Sequence, residues 1–172
     1  MDTFLFSHIR GVNMEIRYAC KNDIPGILEL LAQISRLHHE GRPDLFRLGK
    51  KFDYAEVELL ICDPDKPIIV ASENGQVLGY AICMYKQLKD HPTLLDRKVM
   101  YIDDLCVDEI CRGKGVGTAL YEYVRNLAIE TDCVNVELNV WSFNTSAIRF
   151  YEKCGMVPQR VIMESEKLQN NH

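Results

Sequence analysis

The sequence predicts a single domain of the mixed α/β class, and three observations predict it. Strand-like and helix-like patterns follow one another along nearly the whole chain. Two apolar runs, "PIIVASE" and "QVLGYAICMY", flank Asn74-Gly75, a dipeptide that favours the two-residue turn of a β-hairpin. A glycine-rich stretch at 112–117, "RGKGVG", leads from a strand pattern straight into a helix pattern. A chain of 172 residues fits one domain. At that length about two thirds of the unfolded surface can be buried, so no disulfide staples are needed.

Residues 1–13 read as a loose leader, and Met14, where the patterning begins, as an alternative start. "MEIRYAC" alternates and is expected as a strand. "NDIPGILELLAQISRLHHEG" is expected as a helix, capped by Asn22 or Asp23, with Pro25 in its first turn and Gly41 at its end. Ile27, Leu28, Leu31, Ile34 and Leu37 supply its apolar stripe. A loop, "GRPDLFRLGKK", precedes a shorter helix in "DYAEVELLICD", stopped by Pro64. After the hairpin and a polar connection, "VMYIDDLCVDE" is a strand. "GVGTALYEYVRNLAIE" is a helix with Val116, Leu120, Val124 and Leu127 on one side. "CVNVELNVW" alternates, with Val134, Val136, Leu138 and Val140 facing one way. Asn144 opens a last helix that Gly155 closes, and "VPQRVIME" is expected as a final strand. The domain therefore spans 14–166, with a frayed tail at 167–172.

Charge and cysteine usage narrow the function classes. A net charge of −5 gives no sign of the basic face that nucleic-acid binding uses. Seven scattered cysteines, with no CxxC pair and no secretory h-region, point to reduced thiols and a cytoplasmic protein. No run of apolar residues is long enough to span a membrane. The absence of an HExxH or Cys/His set predicts no metal.

The glycine stretch carries the first chemical signal. Glycines let a ligand approach the backbone with no Cβ in the way. The first amides of the following helix have no internal partners, and together with the helix dipole they suit phosphate oxygens. Arg112 and Lys114 add charge. GxxxxGK[ST] does not fit, since no lysine follows a glycine at that spacing, and GxGxxG fails because Thr118 stands where its third glycine belongs. A second block, "NVWSFNTSAIRFYEKCGM", places Asn144, Ala147 and Tyr151 at i, i+3 and i+7 of a helix, along one face.

Taken together, Arg112-Gly113-Lys114-Gly115-Val116-Gly117 and the later N-x-x-A-x-x-F-Y-E-x-x-G-M from Asn144 to Met156 resemble the paired motifs of the GNAT superfamily of acyl-CoA-dependent N-acetyltransferases. The element order matches from about Met14 to Val161. The resemblance implies a mostly antiparallel central sheet flanked by helices, with two neighbouring strands splayed to admit acetyl-CoA. It implies that main-chain groups of Leu105, Cys106 and Val107 meet the thioester and pantetheine, and that amides at 112–118 (Arg112, Gly113, Lys114, Gly115, Val116, Gly117, Thr118) hold the pyrophosphate. It implies that Asn144 bonds the cofactor arm and that Tyr151 protonates the leaving sulfur. Many relatives dimerise, so a homodimer is an expectation by analogy.

Asp103 and Asp104 are the carboxylates expected to serve the incoming amine, as base or water-holder. On a regular strand they face opposite ways, Asp103 with Tyr101, Leu105 and Val107, Asp104 with Ile102 and Cys106, so only an irregular strand could aim both at one amine. Asp103 is the preferred base, and a structural hydrogen-bonding role for one of the pair is the alternative. His38, His39, Arg42, Asp44 and Phe46, with Asn139 and Trp141, are candidates to line the acceptor pocket. The expected function is acetyl transfer from acetyl-CoA to a small cationic amine or a peptide amine by direct attack in a ternary complex. The rival readings are a catalytically silent CoA-binding sensor and an acyltransferase using a longer acyl chain.

Overall fold

Turn chemistry places the central hairpin where the sequence puts it. Asn74 and Gly75 both take left-handed backbone, with φ of 51° and 80°. That geometry matches the strand twist in a two-residue turn. It joins β3 (Ile68–Glu73) to β4 (Gln76–Leu88). The computed structural model describes residues 5–9 and 12–165. Its other strands are β1 (Leu5–Ile9), β2 (Val12–Tyr18), β5 (Arg97–Val107) and β6 (Asn135–Leu138). Its helices are α1 (Ile24–Gly41), α2 (Tyr54–Ile61), α3 (Val116–Glu130) and α4 (Thr145–Lys153).

The six strands form one sheet in the order β1 to β6. Every neighbouring pair is antiparallel except β5–β6, which is parallel and is connected through α3. Two apolar cores cover its faces. On one, Ile24, Ile27, Leu30 and Leu31 of α1 and Val57 of α2 pack on Ile68, Val70, Tyr80, Ile82 and Cys106. On the other, Val116, Leu120, Val124 and Leu127, the predicted stripe of α3, pack on Ile69, Ala81, Met100 and Ile102. Burying each such side chain stabilises the fold by about 1.5–3 kcal/mol before entropy is counted. Phe150 of α4, with Cys154 and Met156, closes on the α3 face.

Four expectations change. The segment expected as a loose leader carries β1 and the start of β2, paired antiparallel from Leu5↔Ile16 to Ile9↔Val12; residues 1–4, 10 and 11 lie outside the described residues, as does the expected tail. Residues 156–165 form neither helix nor strand, so the expected last strand is absent there. Its Val157, Val161, Ile162 and Met163 remain exposed, with no face to bury them. The alternation expected from Val134 to Val140 holds only for the four residues of β6; Val134 and Val140 are exposed. Asp23 stands at the N-cap of α1 but makes no side-chain cap there. Its buried carboxylate accepts from Arg17 at 2.6 and 3.0 Å and from the Cys20 amide at 2.7 Å.

The correction that matters most for function lies in β5. Ile82 pairs with Asp104, but Cys83 pairs with Ile102, so Asp103 is an extra residue on β5. Such a bulge shifts the phase of the strand. Met100 and Ile102 lie in the core under α3, whereas Cys106 lies in the core under α1. Leu105 and Val107 return to the α3 side. Strict alternation, which grouped Ile102 with Asp104 and Cys106, is thereby broken at Asp103.

Candidate active site

The parallel pair opens where the bulge sits. The β5–β6 ladder ends at Ile102↔Leu138, while β5 continues to Val107 paired only with β4. Residues 103–107 therefore turn one main-chain edge into a gap, and Leu105, Cys106 and Val107 lie along it.

At the mouth of the gap a single turn, Glu109–Cys111, leads into the glycine stretch. Gly113 and Gly115 take φ of 76° and 91°, values costly for any residue with a Cβ. Gly115 is the N-cap of α3 and offers no side chain to its first amides, those of Val116, Gly117 and Thr118. Arg112 and Lys114 are exposed beside it. The Arg112 Nε donates to Val107 O at 3.2 Å, tying the loop back to the end of β5. Glu109 is exposed and lies 3.9 Å from Arg112.

Inside the gap the two aspartates converge. Lys51 Nζ donates to Asp103 Oδ2 at 2.9 Å and to Asp104 Oδ2 at 3.2 Å. The Asp104 side chain is 8% exposed and that of Asp103 is 30% exposed. Burial holds the Asp104 carboxyl above the ordinary carboxylate value, against the pull of Lys51. Burial draws the Lys51 ammonium down, but the two carboxylates outweigh it and keep it above the usual lysine value. Tyr80, a residue with no exposed surface, has its hydroxyl buried beside Asp104. Its ionisation is pushed well up by burial and by the nearby Asp104 charge.

Tyr151, half-buried on α4, is pushed up by burial first and by Asp104 second, so it keeps its proton at neutral pH. Asn144 caps α4: its Oδ1 accepts from the Ala147 amide at 3.2 Å and from Ser146 Oγ at 2.9 Å. That oxygen is committed to the helix, and only the side-chain nitrogen remains to face a ligand. Cys106 is buried, donates to Leu30 O at 3.6 Å, and is pushed up to about 12 by burial. It carries no thiolate for nucleophilic work.

An aromatic wall stands over the acid pair. His38 stacks on Phe46 at 4.9 Å, Phe46 meets Trp141 edge-on at 5.1 Å, and Phe143 lies 6.3 Å from His38 and 6.4 Å from Trp141. Burial holds His38 below the ordinary histidine value, although Asp104 opposes the shift. His39 Nδ1 pairs with Phe46 O at 2.7 Å and so positions the ring. Arg42 and Asp44 bond to each other at 2.8 Å. Arg42 also bonds Glu164 at 2.6 Å on the surface, tying the 156–165 segment to the end of α1. Asp103 and Asp104 thus meet on Lys51, and His38, within electrostatic reach of Asp104, links them to Phe46 and Trp141. Sequence reasoning missed Lys51, Tyr80 and Phe143: Phe143 lies in the second quoted block but at no position its pattern marks, and Lys51 and Tyr80 are brought in by a loop and a register that patterning does not encode.

Among the described residues the sheet has one parallel pair, β5–β6, whose ladder stops at the bulge, and a glycine-rich helix start lies at the mouth of the gap. The chain belongs to the Acetyltransferase (GNAT) family, whose model matches residues 31–156. It is 28% identical over 147 residues to an uncharacterised N-acetyltransferase of Methanocaldococcus jannaschii, covering 86% of this chain and 62% of that protein's length. It is 26% identical over 148 residues to the thialysine N-epsilon-acetyltransferase of Mus musculus, covering 82% and 81%. A mutant of the BH1408 protein from Bacillus halodurans superposes with a TM-score of 0.86 at 29% identity, covering 89% of this chain and 99% of that one.

Proposed function

We propose that this protein transfers an acetyl group from acetyl-CoA to the primary amine of a small cationic acceptor, by direct attack within a ternary complex. One observation carries the reading: both aspartates of the bulge already grip a primary ammonium, that of Lys51, at 2.9 and 3.2 Å. A cleft that seats one alkylammonium this way suits another, and the rings of Phe46, Trp141 and Phe143 offer faces to an alkyl chain or a second cation. The mouse relative's name, a thialysine N-epsilon-acetyltransferase, is that of an enzyme acting on a terminal amine, which agrees with this acceptor class.

The residues present fit coenzyme A. The positive φ of Gly113 and Gly115 clears a path to the uncapped amides of Val116, Gly117 and Thr118, which suit the pyrophosphate with help from Arg112 and Lys114. The open edge of Leu105, Cys106 and Val107 offers ladder groups to an extended pantetheine arm, as a strand would use them, and the Asn144 nitrogen stands at the start of α4 beyond it. The thioester supplies an activated acyl carbonyl when bound.

The chain's own groups handle the protons. An alkylamine with a pKa near 10.4 pays about 4–5 kcal/mol to shed its proton at neutral pH. Asp103 and Asp104 first hold the cation and then take that proton, directly or through a water. Tyr151, still protonated, donates to the departing sulfur. A main-chain N–H on the open edge of β5 stabilises the oxyanion. Buried, protonated Cys106 supports direct attack rather than an acyl-enzyme.

The test is a panel of amines with acetyl-CoA, read as free thiol. Turnover is expected to be fastest on small di-cationic amines and amino acids with a terminal amine. Tight CoA binding with no turnover on any amine would leave a sensor instead of an enzyme. Preference for neutral amines or protein N-termini would remove the aspartate pair from acceptor recognition.

A further inference from the structure

The acetyltransferase reading uses Asp103, Asp104 and Tyr151, but it leaves the side chain seated on them unexplained. Lys51 belongs to the loop between α1 and α2, and that loop is anchored at both ends. Ser35 Oγ donates to Gly49 O at 2.9 Å across the outer surface of α1. Asp53 caps α2, accepting from the Glu56 amide at 2.9 Å, while Glu56 returns a bond to the Asp53 amide at 2.8 Å. Lys51 lies between these anchors, and its ammonium is delivered to the carboxylates and also lies 5.4 Å from the Phe52 ring centre. It is a primary alkylamine tethered in the place an acceptor's amine would take. A tethered reactant has a high effective concentration when the geometry permits contact.

We propose that Lys51 is itself a modification site, acetylated in cis by the bound acyl thioester when no free amine competes for the aspartate pair. This rests on the acetyltransferase reading of the site. The balance is that of the proposed reaction. The ammonium passes one proton to Asp103 or Asp104, its lone pair forms a C–N bond to the acyl carbon, and the C–S bond breaks. The second nitrogen proton leaves to solvent through the carboxylates, and the thiolate takes the proton of Tyr151, which solvent restores. The product is a neutral amide on Lys51 and free CoA thiol.

Modification discharges the seat. A neutral amide has no charge to hold it on two carboxylates, so the acid pair is released to a free cationic acceptor. The hydroxyl of Tyr80, fully buried beside Asp104, is the donor at hand to hold that carboxylate once Lys51 has left. His38, held neutral, adds no competing charge from α1.

The experiment uses the full chain with acetyl-CoA and no amine, followed by intact mass and peptide mapping. The expected result is one acetyl group, on Lys51, added at a rate that does not change when the protein is diluted. Putrescine is expected to suppress it, and the Lys51→Arg variant to lose the added mass. A folded Asp103→Asn/Asp104→Asn variant, checked by circular dichroism, is expected to label Lys51 at least tenfold more slowly, the low end of what a lost general base costs. The proposal is overturned if Lys51 is labelled no faster than an exposed lysine such as Lys89, if the rate scales with protein concentration, or if the double variant labels equally well. Turnover on added amines, with Lys51 still unlabelled in the amine-free incubation, would sink this inference alone. No turnover on any amine together with no labelling would sink the acetyltransferase reading with it.

Discussion

The inner and outer halves of β5 belong to one strand but do opposite work. Residues 97–102 carry ladders to β4 and, over 99–102, to β6, and bury Met100 and Ile102 under α3. Residues 103–107 are paired on one side only, and they begin with a bulge that puts two consecutive carboxylates on one ammonium. The inner half is stabilised by packing. The outer half gives up ladder bonds on one edge and buries a carboxylate with a raised pKa. A single inserted residue separates the two. The lesson is that a site can be made within a regular element by ending one ladder and shifting one phase, while the neighbouring β4 ladder holds it rigid.

Substitutions in the two halves should separate along the same line. Converting both aspartates, Asp103→Asn with Asp104→Asn, is expected to lower kcat/KM for a cationic amine by about 10²–10⁴ without lowering thermal stability. A variant that turns over like the parent would end the outer half's catalytic role. Met100→Ala, in the inner half and fully buried, should cost about 2–5 kcal/mol in chemical denaturation, while the folded fraction keeps its turnover number. Tyr151→Phe should reduce kcat by about a hundredfold and change CoA affinity far less. A Kd that moves as much as kcat would make Tyr151 a binding residue. Gly115→Ala forces a Cβ into φ of 91° and should cost about 1–2 kcal/mol, with weaker CoA binding seen by calorimetry.

The smallest effect is electrostatic. Because the folded-state pKa of Asp104 is raised above its unfolded value, the protonated form favours the native state. That contribution is complete below the unfolded pKa and is lost as pH rises through the folded one. The Asp104→Asn variant lacks this loss. The gap in denaturation midpoint between variant and parent should therefore widen in the variant's favour from acid pH toward neutrality. A gap that narrows would mean that Lys51, not burial, sets the charge state of Asp104.

Much of the fold was legible because it follows local rules. The Asn74-Gly75 hairpin, the stripe of α3 and the Asn144 cap are short-range statements, and the structure repeats them. Residues 5–9 and 156–165 went the other way: the first pairs with β2, the second pairs with nothing, and strand pairing depends on a partner that local pattern does not contain. In the cleft, Asp103, Asp104 and Tyr151 stood out by residue type and motif. Their convergence was legible only as a condition, that the strand be irregular.

The chain by itself determined a glycine-rich helix start, an acid pair in a strand and a phenol on a later helix, because backbone freedom and side-chain chemistry are properties of neighbours in sequence. Only the tertiary structure decided that the pair would meet on one ammonium, that Lys51 would arrive from fifty residues away, and that His38, Phe46, Trp141 and Phe143 would gather into one aromatic group. A bulge is defined by two strands and a salt bridge by two distant segments, so neither exists until the sheet has formed and set the register of its strands.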